Sequence, residues 1–140
     1  MKIEDIMKSP VRTISPDRSI VDAARHMRSF GIGCLVVVDD GAIKGIVTDR
    51  DLVVRAITHG HDVNRTTVAQ HMTSPVTTVD CEMDVLEAAH LMAERGIRRL
   101  PVADKGRLIG IVSYSDIARA VDQALRDIVV GQAREAAPIE

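Results

Sequence analysis

Aromatic residues are almost absent from this chain of 140 residues. Phenylalanine and tyrosine occur once each, as Phe30 and Tyr114, and tryptophan does not occur. A protein that binds single-stranded nucleic acid stacks bases on aromatic rings, and this sequence lacks such a platform. The 18 basic and 20 acidic residues give a formal net charge of −2, so no overall positive field attracts nucleic acid. These two deficits argue against nucleic acid as a partner.

Long apolar runs are missing too. No segment approaches the roughly 18 consecutive apolar residues of a transmembrane helix. The first ten residues, MKIEDIMKSP, carry acids where a signal peptide has its apolar stretch. We therefore expect a cytoplasmic protein that does not use a membrane as its partner. Cys34 and Cys81 are isolated in the sequence, and a structural disulfide is not expected in a reducing compartment.

Catalytic and metal-binding signatures are lacking as well. The five histidines show no HExxH or comparable spacing, and His59 and His61 lie in a polar segment that is more typical of a surface linker. No pair of a hydroxyl and an aspartate has a matched histidine that could complete a nucleophile–base arrangement. The sequence therefore predicts neither an enzyme nor a metal site.

What the chain does contain is an internal repeat. Residues 6–52 align with residues 71–117 at a constant offset of 65 and without a gap. The identities fall at turns, on apolar faces and at a closing aspartate. The clearest pair is GIVTDRD, at 45–51, and GIVSYSD, at 110–116. A repeat with identities in these places predicts one backbone that is used twice.

Each copy has the pattern β-α-β-β-α. The β-prone segments VRTIS and VTTVD precede helices whose apolar residues recur at i, i+3, i+4 and i+7. Ser19 and Asp84 are expected to cap these helices, and Gly31 and Gly96 to end them. Two strands joined by a glycine-containing turn follow. A last helix is predicted over about 49–58 in the first copy and about 114–130 in the second, continuing to about 132 before it frays.

One copy is too thin to cover both faces of its own sheet, so two copies are expected to pack together. The predicted fold class is α/β (more narrowly α+β), with two tandem β-α-β-β-α units related by a pseudo-two-fold axis. We assign residues 1–62 to the first unit, 63–125 to the second, and 126–140 to a C-terminal helix extension and tail. Apolar residues on one side of this extension suit packing on the body or on a partner chain.

The tandem copies resemble a pair of cystathionine-β-synthase (CBS) domains, the Bateman module. The segments SPVRTIS, SIVDAARHM and GIVTDRDL, with their counterparts SPVTTVD, DVLEAAHLM and GIVSYSDI, carry the resemblance, which covers about residues 3 to 122. The chain resembles the small stand-alone bacterial proteins made only of this module. The resemblance implies a regulatory, non-catalytic protein that binds an adenosine-containing ligand (AMP, ADP, ATP, NAD or S-adenosylmethionine), most simply an adenine nucleotide, in clefts between the domains. It also implies a homodimer formed through helix faces and an effector protein that the sequence does not identify.

The resemblance further implies which residues bind the nucleotide. Asp51 and Asp116 would take the ribose hydroxyls, and Thr48 and Ser113 would meet phosphate or ribose. The first-strand positions that would hold adenine are Thr13, Ile14, Thr78 and Val79. The apolar residues that would line the slot are Val37 and Val102. The first glycines of the two motifs, Gly45 and Gly110, complete the implied site. The residue chemistry agrees independently, because one carboxylate can accept from both hydroxyls of a ribose and a helix N-terminus favours phosphate.

The motif also has a purely structural interpretation. The two aspartates could be N-terminal helix acids with Thr48 and Ser113 as N-caps, and capping does not exclude ligand binding. On that interpretation the alternative function is a ligand-free dimeric interaction scaffold.

Phosphates need cations, and the candidates include Arg50 and Arg99. Because alternate strand residues face opposite sides, at most one of Arg98 and Arg99 is expected to point inward, and Arg99 is favoured. The first copy has Gly33 and Cys34 at these places, so the two sites should differ.

Overall fold

The computed structural model describes residues 1–135. The first copy consists of β1 (Thr13–Ile14), α1 (Ile20–Phe30), β2 (Cys34–Asp39), β3 (Ala42–Thr48) and α2 (Asp49–Asp51), which continues as a π-helix over Leu52–Ile57. The second copy consists of α3 (Val68–His71), β4 (Val79–Asp80), α4 (Val85–Arg95), β5 (Arg99–Asp104), β6 (Arg107–Ser113) and α5 (Tyr114–Glu135). A single 3-10 turn at Ile3–Asp5 is the counterpart of α3. The predicted order of elements is confirmed. The last helix, α5, extends to Glu135, past the predicted end at about residue 132. The predicted fraying of the tail at 136–140 lies outside the described residues.

Each copy forms its own three-stranded sheet. In both sheets the first strand is parallel to the second, and the second is antiparallel to the third. The first strands are shorter than predicted, because the chain turns immediately after them, where Arg18 N–H bonds to the Ser15 carbonyl and Met83 N–H to the Asp80 carbonyl. The hairpin turns are as predicted from their sequence, with positive φ at Asp40–Gly41 and at Lys105–Gly106.

The predicted helix boundaries of α1 and α4 are confirmed. Ser19 Oγ accepts a hydrogen bond from the Asp22 N–H at 3.1 Å, and Asp84 accepts one from the Leu86 N–H at 2.9 Å. Both helices end at a glycine in the left-handed conformation, Gly31 and Gly96, each with φ of 62°. Within residues 1–135, no helix has both the length and the apolar character needed to cross a membrane.

The start of each copy packs into the other copy. Ile3 is fully buried in the core of the second copy, and Val68 is fully buried in the core of the first. Backbone bonds fasten these segments: Lys8 exchanges two bonds with Ile111 on β6, at 2.9 and 3.0 Å. Thr73 and Ile46 on β3 make the equivalent pair at 2.8 and 3.1 Å. The two copies are therefore joined by an exchange of their first segments, which the sequence did not lead us to expect.

The first glycine of each motif makes room for the exchanged segment. A Cβ atom at Gly45 would lie 2.6 Å from Met72 Sδ and 2.8 Å from the Thr73 carbonyl oxygen. A Cβ atom at Gly110 would lie 2.5 Å from Met7 Sδ. The immediate neighbour of each glycine is thus the other copy's segment, and a role of Gly45 and Gly110 toward a ligand stays a prediction.

Replacing Gly45 by alanine should lower the free energy of unfolding by about 1–3 kcal/mol, because the Thr73 carbonyl is part of the backbone and cannot rotate away. Urea unfolding followed by circular dichroism measures this. The matched control is Gly131→Ala on α5, where nothing lies within 4 Å of the new Cβ; that change should stabilise by up to about 1 kcal/mol. Equal midpoints for Gly45→Ala and the unmodified protein would contradict the close approach.

Candidate functional site

The two motifs form the same structure, a capping box at the start of a helix. Ser113 N–H donates to Asp116 Oδ2 at 2.9 Å, and Asp116 N–H donates to Ser113 Oγ at 3.2 Å. Thr48 and Asp51 make the same two bonds at the same distances. The structural interpretation of the motif is therefore confirmed at both places. In each box one carboxylate oxygen, Oδ1, stays outside the cap and is available to another partner.

A cleft of about 660 Å³ lies between the two copies beside the second motif. Ser113, Tyr114, Ser115 and Asp116 contribute one wall, from the junction of β6 and α5. The opposite wall comes from the first copy, with Pro10, Val11 and Arg12 before β1 and Gly33 and Cys34 at the start of β2. A pocket of this volume is in the range that holds a drug-sized ligand.

Asp116 is the one carboxylate among the residues that line this cleft, and its side chain is 7% exposed. Its Oδ1 accepts from Arg119 Nη2 at 2.6 Å and lies 3.5 Å from Lys8 Nζ. Burial acts to raise the pKa of Asp116, but the hydrogen bonds from the Ser113 backbone and hydroxyl outweigh it, together with the charges of Lys8 and Arg119. The pKa of Asp116 is therefore below its usual value, and the carboxylate is ionised at neutral pH.

Five cationic side chains line the cleft: Lys8, Arg12, Arg98, Arg99 and Arg119. The guanidinium carbon of Arg12 lies 3.8 Å above the centre of the Phe30 ring, which holds it at the rim. Sequence reasoning had singled out only Arg98 and Arg99 from this set. Arg119 had a local signal that was overlooked, since it lies one helical turn after Asp116. Lys8 reaches the cleft only through the exchange of segments.

The expectation that only one of Arg98 and Arg99 faces the cleft is wrong, because both line it. The alternation of strand residues applies within a strand, and β5 begins at Arg99, so Arg98 belongs to the preceding loop. The guanidinium carbon of Arg98 lies 5.9 Å from the centre of the Tyr114 ring. Tyr114 is 55% exposed at the edge of the cleft.

The first motif has different surroundings. Asp51 Oδ1 lies 3.7 Å from Arg55 Nε, and Arg55 also donates to the His71 carbonyl at 3.5 Å. The Arg50 side chain is exposed, and the backbone N–H of Arg50 donates to Asp49 Oδ1 at 2.8 Å. The Asp49 carboxylate lies so close to the start of β2 that a Cβ at Gly33 would be 2.8 Å from Asp49 Oδ2. Gly33 and Cys34 line the Asp116 cleft together with Arg98 and Arg99, so the contrast expected from these two pairs is not what distinguishes the surroundings of the two motifs. A functional difference between the two sites stays a prediction.

The other predicted residues lie beside the cleft or in the cores. Thr13 pairs with Val36 in the first sheet, directly after the cleft residue Arg12, whereas Ile14 and Val79 are buried. Thr78 is exposed immediately before β4. Val37 and Val102 are fully buried in the two cores. The roles of the four first-strand residues in holding adenine, and of Val37 and Val102 in lining the slot, stay predictions.

The cysteines and histidines offer little chemistry here. Cys34 and Cys81 are free, and burial raises the pKa of Cys34 to about 11 although Arg99 acts against it, so the thiol stays protonated. His61 Nδ1 lies 2.9 Å from His71 Nε2, and burial, with the neighbouring charges of His61 and His59, lowers the pKa of His71. Among residues 1–135, no group of three or more His, Cys, Asp or Glu side chains is arranged to hold a metal ion.

Comparison with known proteins is consistent with this geometry. The model of the CBS domain matches the chain twice, at residues 3–57 and 68–123. The CBS domain-containing protein YhcV of Bacillus subtilis is 37% identical over 116 residues, which are 83% of this chain and 82% of YhcV. The match to the family thus spans both copies of the repeat.

Two solved structures have the same fold. One is the CBS domain pair of protein MJ0100 in complex with 5′-methylthioadenosine and S-adenosyl-L-methionine, with a TM-score of 0.79, 30% identity, and coverage of 89% of this chain and 98% of that one. The other is a hexameric CBS-CP12 protein from bloom-forming cyanobacteria, with a TM-score of 0.77, 33% identity, and coverage of 84% and 69%. With its two matched units and its doubled three-stranded sheets, the chain belongs to the CBS domain family and is a tandem CBS pair.

Proposed function

We propose that this CBS pair is a regulatory module that binds an adenine nucleotide, such as AMP, ADP, ATP or NAD, in the Asp116 cleft. It would report energy or redox state to an effector protein in the cytoplasm, without catalysing a reaction. The observation that carries the proposal is an ionised, nearly buried carboxylate, at the N-terminus of a 22-residue helix, inside a cleft rimmed by cations.

The geometry suits a ribose. Asp116 Oδ2 accepts the cap bond, while Oδ1 contacts the charged ends of Lys8 and Arg119, whose side chains are 70% and 66% exposed. Two vicinal hydroxyls can replace these cations at Oδ1, and each charge-assisted hydrogen bond contributes about 1.5–3 kcal/mol. The MJ0100 pair, which is similar over most of this chain, binds adenosyl compounds, and this supports an adenosine-containing ligand.

The position of the cleft suits a regulatory role. Its walls come from both copies, and Lys8 belongs to the exchanged segment that is bonded to Ile111. A ligand in the cleft would therefore contact both copies at once. It would shift the equilibrium between two arrangements of the copies by the difference in its affinity for each.

A panel of adenosine, AMP, ADP, ATP, NAD and S-adenosylmethionine tests the proposal by thermal unfolding. At a concentration 100 times its dissociation constant, a true ligand should add about 2.7 kcal/mol to the free energy of unfolding. A matched panel with the guanine and cytosine nucleotides is the control for unspecific binding of phosphate. If no adenine compound raises the unfolding temperature above this control, the alternative is favoured, in which the capping aspartates are structural and the chain is a ligand-free dimeric scaffold.

Both functions use a homodimer, which we propose forms through exposed helix faces. Leu125, Ile128 and Val129 lie on one side of α5 and are 57%, 56% and 64% exposed. Burying such residues contributes about 1.5–3 kcal/mol each. Sedimentation velocity should give twice the chain mass of 15.2 kDa, and Ile128→Asp should weaken the dimer; a monomer at all concentrations would refute the pairing.

A further inference from the structure

The two motifs differ in the charges that surround them, and we propose that the Asp116 cleft selects a nucleotide with several phosphates, of the nucleoside triphosphate class. The corresponding place at Asp51 disfavours phosphate. This inference rests on the proposed function and specifies its ligand. It depends on residues outside the repeated motif, and above all on Lys8, Arg12 and Arg119.

The balance of charge in the cleft is far from even. Five cationic side chains line it, and Asp116 is the one carboxylate among the lining residues. A single phosphate carries about −1.5 to −2 charges at neutral pH, so together with Asp116 it leaves about two of the five positive charges without a partner. A chain of phosphates spreads its negative charge over a longer path. It can therefore meet Lys8, Arg12 and Arg119 in turn.

The cations at Asp116 would become available at the moment the sugar binds. Arg119 and Lys8 now contact Oδ1, at 2.6 and 3.5 Å. When the ribose hydroxyls donate to Oδ1, these two side chains lose their partner while they stay beside the sugar. Phosphate oxygens are the natural replacement, since an arginine can bind them with two parallel hydrogen bonds. Arg12 is held across the cleft by its contact with Phe30, 3.8 Å from the ring centre.

The surroundings of Asp51 lack these three cations at the equivalent positions. By the offset of 65, Thr73, Thr77 and Val54 stand in place of Lys8, Arg12 and Arg119. Asp49 stands in place of Tyr114, with its carboxylate against Gly33. Three positive charges are thus replaced by neutral side chains and one negative charge is added, while Arg50 and Arg55 in place of Ser115 and Ala120 restore two positive charges. The surroundings of Asp51 are therefore less positive than the Asp116 cleft by about two charges. Asp49 lies two residues before Asp51 in the sequence and adds a negative charge to the first motif, which repels phosphate.

Calorimetric titration with adenosine, AMP, ADP and ATP tests the inference. We expect affinity to rise along this series, with ATP binding about tenfold or more tightly than AMP, since one additional charge-assisted hydrogen bond accounts for that factor. One ATP should bind per chain. Lys8→Gln and Arg119→Gln should each lower ATP affinity by about tenfold and change adenosine affinity by less than about threefold.

The control for loss of a positive charge is Arg65→Gln, a linker arginine whose side chain is 89% exposed. It should leave all four affinities unchanged. Affinity for AMP equal to or above that for ATP overturns the inference, as does the binding of two ATP per chain, while the proposed function survives. If none of the four compounds binds, the proposed function fails together with the inference.

Discussion

Replacing Asp116 by alanine should weaken adenine-nucleotide binding by about 10- to 100-fold, because the ribose hydroxyls lose a charged acceptor worth about 1.5–3 kcal/mol. The protein should still fold. The loss of the bond from Ser113 N–H to Asp116, one half of the capping box, lowers the free energy of unfolding by about 1–3 kcal/mol, which one domain of this size tolerates. Isothermal titration calorimetry measures the affinity, and urea unfolding measures the stability.

Two further variants separate binding from capping. Asp116→Asn keeps a side-chain oxygen that can accept from Ser113 N–H but removes the charge, so it should bind nucleotide weakly while its stability stays close to that of the unmodified protein. Asp84→Ala removes a capping aspartate from α4, where the side chain accepts from Leu86 N–H, and should reduce stability without affecting binding. Full affinity in Asp116→Asn would show that the carboxylate serves only as a cap.

Replacing Ile3 by alanine should lower the free energy of unfolding by about 2–5 kcal/mol. An effect of this size is typical of a large core residue, whereas residues near the end of a chain usually contribute little. The reason is the exchange of segments: Ile3 is 0% exposed and lies among Val79, Val85 and other residues of the second core. Denaturant unfolding gives the value directly.

The control for this prediction is Ile57→Ala, since that side chain is 60% exposed. It should change the free energy of unfolding by no more than about 0.5 kcal/mol. Similar small effects for both variants would mean that the first segment is frayed and that the copies are not joined by it.

Local features of the structure were predictable from the sequence. The spacing of apolar residues, the caps at Ser19 and Asp84 and the glycines after α1 and α4 each depend on a few neighbouring residues, so pattern and chemistry determine them together. The gapless repeat then predicted the fold, because two units with the same apolar pattern bury the same helix and sheet faces. The motif residues Ser113 and Asp116 were found for the same reason.

Long-range features were not predictable in this way. Nothing in the order of residues shows that Ile3 packs beneath the second sheet, because the exchange joins segments about a hundred residues apart. Lys8 enters the cleft only as a consequence of that exchange, and Arg12 lies opposite Arg119 only once the copies have packed. The places of Val37 and Val102 could not be derived from their strands either, because alternation cannot tell which face meets a core and which meets a cleft when both are apolar. Both are fully buried, and a role in lining the slot stays a prediction.

The most direct test of the account is a crystal structure of the protein with bound ATP. The account predicts the ribose hydroxyls on Asp116 Oδ1, with Arg119 turned from the carboxylate toward the phosphates and Lys8 beside it. A nucleotide bound outside the cleft, or an Asp116–Arg119 pair that persists with the sugar elsewhere, would contradict it.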